Sequence, residues 1–184
     1  MYNKESDEYK IIKKQIGREP EGMKGISLYC PFGYPAVIKV YPFFNERVFP
    51  TTYWLTCPYL NKEIAKLEDK SWINKIQDKI KNNSHLKEKL NKAHKQYAKQ
   101  RFNMLNKEEI KIIKNISKDI LYTLKESGVG GIKDKEGIKC LHTHVADYLI
   151  NQINPVGKIV FKEIDWPKQC RICKELEKDD QSSH

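Results

Sequence analysis

Apolar positions change their spacing once along this chain. From Ile26 to Tyr41 they fall in short runs, Ile26, Leu28 and Cys30, then Val37, Ile38 and Val40, divided by Pro31-Phe32-Gly33-Tyr34-Pro35. Two β-rich runs around a Pro/Gly turn predict a hairpin. A third strand is expected from Val48 to Cys57, where Thr51, Thr52, Tyr53, Trp54 and Thr56 gather and Pro58 closes the run. Beyond Pro58 the spacing lengthens to three and four, as on amphipathic helices. It runs through Leu60, Ile64 and Leu67, then Trp72, Ile73, Ile76 and Ile80, then Leu86, Leu90, Ala93, His94, Tyr97 and Arg101. Ile110, Ile113, Ile116, Ile120, Leu121 and Leu124 continue it to Gly128, and Gly128, Gly130, Gly131 and Gly137 predict a loop over 128–137. A further helix carries Ile138, Leu141, Val145, Tyr148 and Leu149 to Asn154-Pro155, and a short last element holds Ile159, Val160, Phe161 and Ile164. The expected class is α+β, a small N-terminal antiparallel sheet with a mostly helical remainder. A single domain is expected over 1–184, with its core at about 15–165, an arm or helix at 1–14, and a Cys-containing tail at 166–184.

Composition narrows the functional classes. No run approaches the ~18 consecutive apolar residues of a membrane span, and Met1 to Asp7 lacks the apolar stretch of a secretion signal, so a cytoplasmic protein without a membrane partner is expected. The net charge of +10 comes from 34 Lys+Arg against 24 Asp+Glu, but Arg18, Arg47, Arg101 and Arg171 are the only arginines. Arginine is the residue suited to bidentate phosphate contacts, so this lysine-rich balance reads first as solvated surface. Residues 62–101, with 12 Lys+Arg against 5 Asp+Glu, are the one credible polyanion surface. Lys75, Lys79, Lys87, Lys95 and Arg101 there would meet nucleic acid or polyphosphate. His94, Tyr97 and Arg101 form a polar stripe at i, i+3 and i+7 that either grips an anion or is a buried hydrogen-bonded seam. Gly128-Val129-Gly130-Gly131 is glycine-rich like a phosphate loop, but it follows no strand and precedes no Gly-Lys-Ser/Thr, which speaks against that reading.

The cysteines are the stronger signal. Cys30 and Cys57 each precede a proline, Cys140 begins Cys140-Leu141-His142-Thr143-His144, and Cys170 and Cys173 have the x₂ spacing with which one turn presents two thiolates to one ion. In a reducing compartment such groups point to metal or thiol chemistry and away from disulfides. Cys30 and Cys57 also read as buried strand thiols acting as small hydrophobes, and Cys170 and Cys173 as unremarkable thiols in a mobile end. On a helix beginning at Ile138, Cys140 and His144 share a face with Asp147, and His142 joins Cys140 only if the thiol lies in the first turn. A thiol at a helix N-terminus ionises more readily and so ligates or attacks more readily.

In chain order, Gln15-Ile16-Gly17-Arg18, Cys30-Pro31-Phe32-Gly33-Tyr34-Pro35, Phe49 through Pro58, Ala93-His94 with Tyr97 and Arg101, Lys139-Cys140-Leu141-His142, and Asn154-Pro155-Val156-Gly157 resemble the bacterial domain-of-unknown-function family 501, over about residues 15–160. The resemblance implies no activity. It implies that Cys30, Cys57, Cys140, His142, His94 and Arg101 stand at the family's recurring positions, and that Cys170 resembles a cysteine that closes members' chains. Some members read Cys-Pro-Cys-Gly where this chain has Phe32, which argues against a two-thiol turn at Cys30. The set left is Cys30, Cys57, Cys140 and Cys170 or Cys173, with His142 as a further ligand. The leading expectation is therefore one zinc or iron–sulfur centre on which these cysteines converge. Its rivals are a nucleic-acid- or polyphosphate-binding module and a thiol-dependent enzyme with Cys140 as nucleophile and His142 or His144 as base; His94 is a third catalytic candidate.

Overall fold

The structure is a computed structural model and describes residues 2–178, so the end of the expected tail, 179–184, lies outside the described residues. The predicted class is the observed one. Helix α1 (Asp7–Ile16) starts at Ser6, whose hydroxyl accepts the Tyr9 N–H, and stops at Gly17, which takes the left-handed φ of 68°. The hairpin follows as β1 (Met23–Tyr29) and β2 (Pro35–Val40). In the three-stranded antiparallel sheet β2 lies in the middle, between β1 and β5 (Tyr53–Leu55). A central strand is covered on both faces, which is why Pro35-Ala-Val-Ile-Lys-Val40 is almost continuously apolar. Ile38 and Val40 pack with Tyr9 and Ile12 of α1, while Ala36, Val37 and Leu55 enter the main core under the helices.

The third strand is shorter than expected. Val48 is taken by a separate two-residue pairing, β3 (Phe43–Phe44) with β4 (Arg47–Val48), whose turn places Asn45 and Glu46 at positive φ. Pro50, which has no N–H to give to a ladder, separates that pairing from β5.

The helical remainder is α2 (Pro58–Asp69), α3 (Trp72–Lys81), α4 (Ser84–Phe102), α5 (Lys107–Ile116), α6 (Lys118–Glu126), α7 (Leu141–Asn151), α8 (Pro155–Ile164) and α9 (Ile172–Lys178). The run from Ile110 to Leu124 is broken at Ser117, which is extended and whose hydroxyl accepts the Asp119 and Ile120 N–H groups. The short element expected around 159–164 is a full helix, α8, begun by Asn154 accepting the Gly157 N–H with Pro155 in the first turn, and the expected tail carries α9. No helix among the described residues is long and apolar enough to cross a membrane.

Helices α7 and α8 approach so closely that a Cβ at Gly157 would lie 2.1 Å from the His144 carbonyl oxygen and 2.4 Å from Tyr148 Cβ. Both atoms belong to the backbone of α7 or are bonded directly to it, so they cannot yield without moving a helix. Gly157→Ala is expected to destabilise the fold by at least about 2 kcal/mol. A urea midpoint equal to that of the parent protein would contradict this packing.

Candidate metal centre and cleft

Helices α2 and α7 meet in the main core through Leu60, Ile64, Leu141 and Val145. That contact fixes three polar side chains at its edge. Cys140 is the N-cap of α7, one position before the helix and not inside it, with φ −154° and ψ 130°. Its backbone is extended there, so its partner is His142 and not His144. Cys140 Sγ lies 3.5 Å from His142 Nδ1. The same nitrogen is 3.5 Å from Glu68 Oε1, which also accepts the Leu141 N–H at 2.8 Å and so satisfies one of the open amides of α7.

The other ring nitrogen settles the tautomer. His142 Nε2 lies 3.2 Å from the Asn61 carbonyl oxygen, and a carbonyl can only accept, so Nε2 carries the proton. In the neutral ring, Nδ1 then turns a lone pair toward a sulfur and a carboxylate. A proton or a cation among the three relieves that arrangement. Burial opposes charging His142, but the Cys140 sulfur, the Glu68 carboxylate and the Asn61 carbonyl outweigh it and raise its pKa above the ordinary value. Among the described residues, Glu68, Cys140 and His142 are the only three metal-ligating side chains whose donor atoms all lie within 4.8 Å of one another.

His142 belongs at the same time to the wall of a cleft of about 470 Å³, with Thr143, Asn61, Thr51, Trp54 and Arg18 among the other lining residues. Arg18 is exposed just beyond the cap of α1, its guanidinium carbon 4.8 Å from the centre of the Trp54 ring. Trp54 is itself oriented by its Nε1–H, which donates to the Thr51 carbonyl at 3.1 Å. An imidazole, a stacked guanidinium and two threonines around one opening suit an anionic molecule. Three of the strings that carry the family resemblance, at 15–18, 49–58 and 139–142, contribute residues to this cleft.

The profile of the family described as a protein of unknown function, DUF501, matches residues 26–162. The chain belongs to that family. No curated protein and no solved structure matches the chain. DUF501 membership thus names a lineage without an activity, and the chemistry has to be read from the residues.

The side chains expected to converge on one centre in this DUF501 chain fall into two separate groups. Cys30, Cys57, Cys170 and Cys173 line one small cavity, with Trp166 and Tyr34 among its other walls, and Cys140 is not among them. The reason lies in α2: Cys57 caps its first turn, whereas Glu68, the neighbour of Cys140, lies eleven residues on, about 16 Å along the axis. All five cysteines are free thiols, and none pairs Cys30 with Cys57.

His94 and Arg101 take the buried-seam reading and leave the anion-gripping one. Both side chains are fully buried. Arg101 donates to the carbonyl oxygens of Leu124 at 2.7 Å, Pro50 at 2.8 Å, Thr123 at 2.9 Å, Gly128 at 3.3 Å and Ser127 at 2.5 Å. His94 Nδ1 accepts the Val129 N–H at 3.1 Å, and the ring does not reach the cleft, which removes it as a catalytic candidate there. Of the lysines, Lys87 pairs with Glu136 at 2.7 Å and Lys75 lies 5.9 Å over the Trp72 ring. Lys79 is exposed on α3, and Lys95 shares a shallow cavity of about 230 Å³ with Lys99, Lys125 and Lys135. None of Lys75, Lys79, Lys87 and Lys95 lines the large cleft.

Four residues of this site were not singled out as functional from the sequence. Glu68 is one of five acidic residues in the basic 62–101 segment and carries no local signature. Asn61 acts through its carbonyl, which no sequence displays. Arg18 and Trp54 did have a signal, since each sits in a string that carries the resemblance and Arg18 is one of only four arginines.

Proposed function

We propose that the protein binds a divalent ion of the zinc class through Glu68, Cys140 and His142 and takes a small anionic molecule into the adjoining cleft. The observation that carries this reading is the convergence of a nitrogen, a sulfur and a carboxylate oxygen within 4.8 Å, with the far nitrogen of the imidazole held by a main-chain carbonyl. A histidine ligand commonly donates its second ring N–H to such a carbonyl, which fixes the ring and makes the ligating nitrogen more basic. Mixed N, S and O donors suit zinc better than an iron–sulfur cluster, which calls for thiolates throughout. Three protein donors leave one position for water or substrate, the composition of catalytic zinc sites, and a bound ion there acts as a Lewis acid. Arg18 supplies the opposite charge for an anionic group, and Trp54 holds the guanidinium in place.

Elemental analysis of the purified full chain and of a Cys140→Ser/His142→Ala variant tests the centre. The double variant is expected to lose one equivalent of zinc and to keep its fold, since both side chains are partly exposed. Unchanged metal content in the double variant would remove the proposal. A second reading draws on the 3.5 Å contact between Cys140 Sγ and His142 Nδ1: a thiolate–imidazolium pair attacking an electrophilic substrate. The two separate cleanly, because turnover of anionic esters that survives a chelator and stops on alkylation of Cys140 belongs to the nucleophile, whereas chelator-sensitive turnover restored by zinc belongs to the metal.

A further inference from the structure

The thiols that left the expected centre form a group of their own. Cys30 follows the first strand of the hairpin, Cys57 caps α2, and Cys170 and Cys173 precede and open α9, yet all four line one cavity of only about 10 Å³. That void is on the scale of a single small occupant. Cys57 and Cys173 are buried, while Cys30 and Cys170 are partly exposed, so the group has a closed inner side and an accessible outer one. The backbone already brings the parts together. At Cys30 the chain makes a tight turn, in which the Gly33 N–H donates to the Cys30 carbonyl at 3.0 Å and the Cys30 N–H to the Tyr34 carbonyl at 2.8 Å. Helix α9 is docked on α1 and the hairpin through Lys14 Nζ to the Leu176 carbonyl at 2.7 Å and Tyr34 Oη to Glu177 at 2.8 Å. Gln15 Nε2 donates to Cys173 Sγ at 3.3 Å, the kind of N–H···S contact that suits an electron-rich sulfur.

We propose that Cys30, Cys57, Cys170 and Cys173 hold a second, structural zinc ion that fastens α9 to the hairpin and to the start of α2. Four sulfurs around one ion at ~2.3 Å lie roughly 4 Å apart. These four stand wider, because no three of them fall within 4.8 Å of one another among the described residues. Binding therefore draws the thiols inward, each proton passing to solvent as its sulfur ligates. The two-residue interval between Cys170 and Cys173 lets the tail close over the ion from two sides, and the prolines after Cys30 and Cys57 hold the other two thiols on stiff backbone. The site completes its coordination with protein alone, so it stabilises structure and leaves no position for substrate, in contrast to the three-donor centre at the far end of α2.

The test uses the full chain, stripped of metal under reducing conditions and titrated with Co²⁺ and then Zn²⁺. The parent protein is expected to take two equivalents. Cys170→Ser, a partly exposed position whose change leaves the buried thiols in place, is expected to take one and to lose the strong sulfur-to-cobalt charge-transfer absorption of a tetrathiolate site. Cys140→Ser is expected to keep that absorption. Zn²⁺ should also slow tryptic cleavage at Lys174 in the parent protein and not in Cys170→Ser. If Cys170→Ser and Cys30→Ser both bind cobalt with the parent's stoichiometry and spectrum, the four-thiol site is overturned. Loss of metal confined to Cys140→Ser overturns it equally while leaving the Glu68–Cys140–His142 centre standing.

Discussion

Replacing Arg101 with methionine is expected to lower stability by about 4 kcal/mol, a large share of the ~5–15 kcal/mol that holds a domain of ordinary size folded. Arg101 is fully buried with no carboxylate of the described residues paired to it; its charge is spread over five carbonyl oxygens from residue 50 and residues 123–128, and over the Ser127 hydroxyl at 3.0 Å. Burial draws its pKa down to about 10, and it remains charged at neutral pH. The guanidinium closes the C-terminal end of α6, where the last carbonyls lack helical partners, and ties it to Pro50 on the cleft wall. Methionine fills much of the volume but takes the donor from the Leu124, Pro50 and Ser127 oxygens, while Thr123 and Gly128 keep the N–H groups of Ser127 and Gly131. Lysine keeps the charge but not the planar fork, and Arg101→Lys is expected to recover less than half of the loss. Urea titration of both variants decides it; a methionine variant within 1 kcal/mol of the parent, on the order of an ordinary neutral hydrogen bond, would show that the carbonyls are satisfied some other way.

The protein is also expected to lose stability on mild acidification. His94 and His144 are buried with their rings 5.9 Å apart in an edge-to-face arrangement. Burial and the neighbouring His144 ring and Lys135 push His94 down to about 3, and burial pushes His144 down to about 4. Both are therefore neutral in the folded state and take up protons only on unfolding. Groups with lowered folded pKa favour the folded state fully above their unfolded value near 6.5 and lose that contribution as pH falls toward the folded values. Between pH 6.5 and 4 each histidine removes up to about 1.4 kcal/mol per pH unit. Asp147 runs the other way: burial raises its carboxyl to about 6, so the folded state binds its proton first, and that offsets part of the loss below pH 6. His142, raised in the folded state, has made its own contribution in full by about pH 6.5, so below that value two protons against one leave acid destabilising. Thermal midpoints at pH 7, 6 and 5 should fall in order, and a midpoint that stays level to pH 5 would show that one of the two rings is charged in the folded protein.

The helices and the hairpin were legible because each repeats a pattern over ten or so residues, as α4 does from Leu90 to Arg101. Short features were not. The Phe43–Phe44 and Arg47–Val48 pairing depends on two non-glycine residues at positive φ, Asn45 and Glu46, and neither type demands that conformation. The site was half legible for a similar reason. Cys140 with His142 could be named because they are two residues apart, but their relation to Glu68 is set by the docking of α7 on α2, a contact between segments some seventy residues apart. The same docking separates Cys140 from Cys30 and Cys57, so cysteine identity alone merged two groups that the fold keeps at different ends of one helix. His94 and Arg101 carried a polar stripe whose meaning depended on burial, and burial reversed it.

Asn61 shows what such a contact means for variation. Its Nδ2 donates to the Leu55 carbonyl, which steadies the start of α2, but the atom that meets His142 is the main-chain oxygen. Every amino acid brings the same oxygen to position 61, so the tautomer of His142 is indifferent to the side chain there and responds only to where α2 lies. A mutation that slides or tilts that helix retunes the imidazole from a distance, while a scan of its immediate neighbours by side-chain replacement would pass over the acceptor that governs it.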